Sequence, residues 1–166
     1  MLRAASLLVL CCATAASASA PPDVRLDAIA AIHGEAGPWA AAGFRMATFA
    51  MERLGVTAGK GDLLVEHRSP RAVQFSCVAD GAQAATKASV GKLSLSWSEV
   101  PLEKMETVFT RPSTGARVVL RPSKRFVEAF LNAPREKARE NATKVLALPD
   151  ADVFEIVSTS TAPRAP

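Results

Sequence analysis

Ile32-His33-Gly34-Glu35-Ala36-Gly37-Pro38 is a break between two helical patterns, and what lies on either side of it decides the fold. Upstream, Asp23 to Ile32 carries apolar residues at Leu26, Ile29, Ala30 and Ile32, which predicts a short amphipathic helix. Gly34, Gly37 and Pro38 interrupt it. Downstream, a longer helix is predicted from about Pro38 to Leu54, with Pro38 suited to the first turn and Gly55 stopping it. Trp39, Ala42, Met46, Phe49 and Ala50 share one face; Ala40, Phe44, Ala47 and Met51 line much of the other. A helix apolar on both sides is buried on both, here expected between a sheet and a second subunit.

A second distinctive stretch, Phe75-Ser76-Cys77-Val78-Ala79-Asp80-Gly81-Ala82-Gln83, follows about 40 residues later. Cys77 to Ala88 reads as a helix whose small residues (Ala79, Gly81, Ala82, Ala84, Ala85, Ala88) let it lie close to a neighbouring backbone. A His-Gly turn feeding one helix and a lone Cys opening another can bring an imidazole and a thiolate together, for metal binding or covalent chemistry. With Cys77 near a helix N-terminus, its pKa is expected to be lowered. Asp80, one turn later on the same face, is expected to cap backbone amides, with steadying His33 as the alternative.

Strands are expected at Asp62 to His67 and in the alternating run from Lys92 to Trp97, with a shorter extended segment from Arg71 to Phe75. Lys104 to Thr110 and Ala116 to Leu120 read as a hairpin around Pro112-Ser113-Thr114-Gly115. Ser123 caps a helix to about Asn132, Pro134 starts another ending near Leu146, and Asp152 to Val157 forms a closing strand. Helices and strands interleave without a regular βαβ rhythm, which predicts an α+β domain on an antiparallel or mixed sheet.

The chain has 166 residues, 49% of them hydrophobic, enough for one domain and hardly enough for two. Met1-Leu2-Arg3, the apolar run to Thr14 and the small residues to Ala20 read as a signal peptide, residues 1–18, with cleavage at latest after residue 20. The run is too short for a permanent membrane anchor. Leu10 and Cys11 are poor lipid-attachment residues before Cys11 and Cys12, so the expected setting is periplasmic or secreted. The mature protein would then hold one thiol, Cys77, and no disulfide. The formal charge is +4, with a basic run at Arg111, Arg117, Arg121, Lys124 and Arg125. That run carries no interleaved aromatics, which argues against nucleic acid and for a solvated strand and turn.

Taken together, these stretches resemble the FmdE family, named for a component of formylmethanofuran dehydrogenase. Its core opens with His-Gly-His-x-Cys-Pro-Gly before a helix containing Gly-x-Arg-Met. Here His33-Gly34-Glu35-Ala36-Gly37-Pro38-Trp39 and Gly43-Phe44-Arg45-Met46 stand in those places. The second family signature, Cys-x-x-Asp-x-x-Gln followed by Thr-Gly-Cys/Ala-Thr-x-Gly-Lys, is matched by Cys77 to Gln83 and then Thr86-Lys87-Ala88-Ser89-Val90-Gly91-Lys92. Leu148-Pro149-Asp150 and Val153-Phe154 are similar to the end of that domain. The resemblance implies a single FmdE-like α+β domain, residues 23–158, with helices on one side of a mixed sheet and a tail at 159–166. It also implies a homodimer.

The chain departs from the family where chemistry would be expected. Glu35 replaces the second His, Gly37 a Cys, Ala88 a further Cys, and the family's Cys-rich zinc-binding tail is absent. Of a four-ligand zinc site only His33 and Cys77 remain, with Glu35 as a third donor by oxygen and water completing an open site. Lys92 matches the family turn, where it would neutralise a bound ligand's charge. Three functions stay open: an accessory protein binding a metal or small ligand around His33, Glu35, Cys77 and Asp80; a thiol enzyme with Cys77 as nucleophile, His33 as base and Asp80 as orienting acid; or a structural domain whose pocket has lost its chemistry. The parent enzyme's activity is not expected of this chain alone.

Overall fold

The computed structural model describes residues 23–160. In chain order the elements are α1 (Val24–His33), α2 (Pro38–Leu54), β1 (Leu64–Ser69), α3 (Val73–Thr86), β2 (Leu95–Glu99), β3 (Glu106–Arg111) and β4 (Ala116–Pro122). They continue with α4 (Lys124–Phe130), α5 (Ala138–Ala147), α6 (Asp150–Val153) and β5 (Phe154–Ser160). The strands form one mixed sheet in the order β2-β1-β3-β4-β5, with β1 and β2 parallel and the remaining pairs antiparallel. The fold is the expected α+β domain, with six α-helices among the described residues packed against the sheet.

Alternation along β1 shows which face the helices cover, although at the centres of β3 and β4 Val108 and Val119 are buried on the opposite face as well. Val65, His67 and Ser69 of β1, Thr107 and Phe109 of β3, and Val118 and Leu120 of β4 are buried. The opposite face carries Glu66, Arg68 and Glu106 as an ion-pair network, in which Arg68 bonds both carboxylates at 2.7–2.9 Å.

The expected bounds of α2 hold, Pro38 at its start and Gly55 at its end. Within the chain this helix packs against α3, α5 and strands β3 and β4, with Phe44, Phe49 and Met51 left partly exposed. The tightest seam is α2 against α3. A Cβ on Gly43 would lie 2.0 Å from the Val78 carbonyl oxygen, and one on Gly81 would lie 1.8 Å from that of Ala40. Only glycine lets the two backbones meet at those points. The close approach read from the small residues of α3 is therefore made to α2.

Four expectations are corrected. Arg71 to Phe75 is not an extended segment: α3 begins at Val73, one turn before Cys77. The strand expected from Lys92 starts at Leu95, because Val90–Lys92 forms a 3-10 turn and Leu93 takes a left-handed conformation with φ 55°. Residues Asp150–Val153 form a short helix before β5. Thr159 and Ser160 belong to β5 rather than to a tail, pairing with Val118 and Arg117. The segment read as a signal peptide, residues 1–18, and residues 161–166 lie outside the described residues.

Arg45 locks the C-terminal part onto α2. Its guanidinium donates to the Val145 carbonyl at 2.9 Å and also to the Leu148 carbonyl and the Asp150 carboxylate. Arg25 adds a bond to the Leu146 carbonyl at 3.2 Å. The carbonyls left over at the end of α5 thus receive charged donors, the complement a helix C-terminus calls for.

Candidate functional site

His33 is the last residue of α1. Gly34 ends that helix with φ 87°, its N–H returning to the Ala30 carbonyl at 2.8 Å. The chain then turns through buried Ala36 and extended Gly37 into Pro38, which starts α2. This turn holds the imidazole over α3, where His33 Nδ1 and Asp80 Oδ2 are 2.8 Å apart. An ionised carboxylate accepts only, so Nδ1 carries the proton, and Nε2 is the ring nitrogen left without a partner among the described residues.

His33, Glu35 and Cys77 all line one cleft of about 800 Å³, between the α1–α2 turn, the start of α3 and the α4–α5 connection. Asp80 stands behind His33 rather than on the cleft wall. Trp39, Phe130 and Ala133 supply apolar wall; Gln74 and Arg135 add polar groups. Trp39 fixes that wall: its indole N–H donates to the Phe130 carbonyl at 3.0 Å, and its ring meets Phe75 and Phe126 edge-on at 5.2 and 4.9 Å. Edge-on aromatic pairs are worth about 1 kcal/mol each beyond their buried area. The volume falls within the usual range for small-molecule sites, and the mix of apolar wall with a few polar groups is typical of them.

The expectations for Cys77 and Asp80 change with the true start of α3. Cys77 lies beyond the first turn, where the helix dipole has faded. Its thiol donates to the Val73 carbonyl at 2.9 Å. Burial, reinforced by the nearby Asp80 carboxylate, pushes the thiol up to about 11 instead of down; its own backbone hydrogen bond and Arg135 oppose this only in part. Asp80 likewise sits mid-helix and caps nothing. Its partner is His33, the alternative role read from the sequence.

Lys92 does not line the cleft. It lies beyond the C-terminal end of α3, its Nζ donating to the Lys87 carbonyl at 3.0 Å. Among the described residues no three His, Cys, Asp or Glu side chains are grouped as metal ligands would be. His33, Glu35 and Cys77 share the cleft wall without forming such a group.

Sequence reasoning missed Arg135, Gln74 and Phe130, which come from segments with no motif of their own. It also passed over His67, which is fully buried on β1. Its Nδ1 accepts from the Thr107 hydroxyl at 2.9 Å, and its Nε2–H donates to the Phe75 carbonyl at 3.1 Å. Burial holds His67 down at about 4. Its place could have been found, since Val65, His67 and Ser69 share one strand face.

A family model described as FmdE, molybdenum formylmethanofuran dehydrogenase operon, matches residues 32–155. That span takes in both stretches that line the cleft. No protein of curated function matches the chain.

Proposed function

This chain belongs to the FmdE family, and from that membership we propose that its cleft binds a small organic ligand, the protein acting as a binding or accessory protein. The single observation that carries the reading is that residues of both family signatures, His33, Glu35 and Trp39 of the first and Cys77 of the second, line one cleft of ligand size. The polar groups there suit recognition. The His33 ring is oriented by Asp80 and offers Nε2, while Gln74 and Arg135 supply donors beside an aromatic wall. The thiol-enzyme alternative has less support. The Cys77 thiol donates its hydrogen bond to the Val73 carbonyl and burial raises its pKa, both of which oppose a nucleophilic thiolate. The His33–Asp80 bond by itself would suit an oriented base. A metal-bearing ligand is a second reading, favoured by the His33–Asp80 bond, which has the form of a carboxylate supporting a ligating imidazole.

Export to the periplasm or exterior is part of the proposal, supported by the charge and apolar pattern of residues 1–18. N-terminal sequencing of the mature protein tests it. For the binding role, a thermal-shift screen of a small-molecule collection compares the native protein with His33→Ala and with Ala138→Trp, which plugs the cleft. Stabilising compounds that lose their effect in both variants support the reading; compounds that act equally on all three proteins overturn it. Metal analysis of the untagged protein with and without Cys77→Ala separates the second reading from the first.

A further inference from the structure

At the end of α3 remote from the cleft, the turn Lys87 to Leu93 presents apolar side chains to water. Val90 is 69% exposed and Leu93 88%, and Leu93 is the most exposed large apolar side chain among the described residues. Leu93 also holds φ 55°, a left-handed conformation that Asn or Gly adopts more readily than leucine. A solvated, strained leucine is a poor choice for the fold, since its side chain contributes almost no burial and its backbone is disfavoured.

The charges around it are of one sign. The loop before β1 is tied to the turn by the Gly59 N–H, which donates to the Thr86 carbonyl at 2.9 Å, and this brings exposed Lys60 alongside Lys87 and Lys92. No acidic residue occurs from Gly55 to Gly61 or from Thr86 to Ser98. The acids that follow these runs are engaged elsewhere, Asp62 with Arg111 and Ser113, and Glu99 with Arg71, while those that precede them are Glu52 and the His33 partner Asp80. Two aliphatic side chains ringed by three lysines match a surface with an apolar interior and an anionic face.

We propose that this turn docks the protein onto an anionic lipid bilayer, Leu93 and Val90 entering the headgroup boundary and Lys60, Lys87 and Lys92 meeting lipid phosphates. No helix among the described residues is long and apolar enough to cross a membrane, so the contact is peripheral. It leaves the cleft at the opposite end of α3 uncovered.

The test is sedimentation of the mature protein with vesicles of phosphatidylcholine alone or mixed with phosphatidylglycerol. Binding is expected to the mixed vesicles and not to the neutral ones. Leu93→Asn, which suits the backbone, should weaken binding about tenfold while leaving the melting temperature unchanged or higher. Lys60→Gln combined with Lys92→Gln should weaken it further at low salt. A native protein that ignores phosphatidylglycerol vesicles, a Leu93→Asn variant that binds them like the native chain, or capture of a soluble protein through Leu93 without vesicle binding would each overturn the proposal.

Discussion

His67 and His33 grip α3 from opposite sides and in opposite surroundings. His67 reaches the first turn of the helix from the sheet, with both ring nitrogens bonded to protein and no exposure to water. His33 reaches the next turn of α3 from the cleft, with one nitrogen bonded to Asp80 and the ring partly exposed. The same side chain is a structural strut in one place and keeps one ring nitrogen uncommitted in the other. What separates them is the number of ring nitrogens the protein leaves unused, not the residue type.

The most damaging change would unseat the helix that both residues hold. Gly81→Ala places a methyl 1.8 Å from the Ala40 carbonyl oxygen, and backbone cannot yield as a side chain can. A loss of about 3 kcal/mol or more is expected in urea unfolding, with both histidine contacts disturbed.

Acid should act on His67 next. Its folded value of about 4 lies below the ordinary 6.5, so between those limits the unfolded chain binds the extra proton. Stability from this group is complete above pH 6.5 and is lost as pH falls through 4, by about 3 kcal/mol in all. A His67→Gln variant, which keeps hydrogen-bonding capacity without titrating, should flatten that part of the pH–stability curve measured by denaturant titration.

Asp80→Asn probes the difference from the cleft side. The pair is partly exposed, so stability should change by less than about 1 kcal/mol. Removing the carboxylate also takes away one of the two influences that raise Cys77. The pH midpoint of Cys77 alkylation by iodoacetamide should therefore drop below the native value of about 11 yet stay above the ordinary thiol's, because burial remains. A midpoint unmoved by the substitution would show that Asp80 does not reach the thiol.

Much of this was legible in the residues. Pro38 and Gly55 bracket α2 because each suits the position it occupies, and the glycines and alanines of Cys77–Ala88 announced a close neighbour without naming it. The start of α3 was hidden because its N-cap is Ala72, which makes no side-chain cap. Cys77 then looked like the opening residue, and both the lowered thiol pKa and the capping role for Asp80 followed from that misplaced start. Lys92 shared a signature with the cleft residues but lies across the length of α3 from them, a separation that spacing along the chain does not record. Arg135 and Phe130 reach the cleft only through the packing of α4 and α5 on α2, which no local pattern encodes.

The parallel pairing of β1 and β2 also governs where the molecule can change. Two strands pointing the same way require the chain to travel back between them, and α3 is that return path. Its N-terminus must then stand at the carboxyl edge of β1, where open sheets leave room for ligands. Pro70 to Ala72, the short link at that edge, leads into Val73 and Gln74 on the cleft wall, so lengthening it would reshape the cleft while the interior stays as it is.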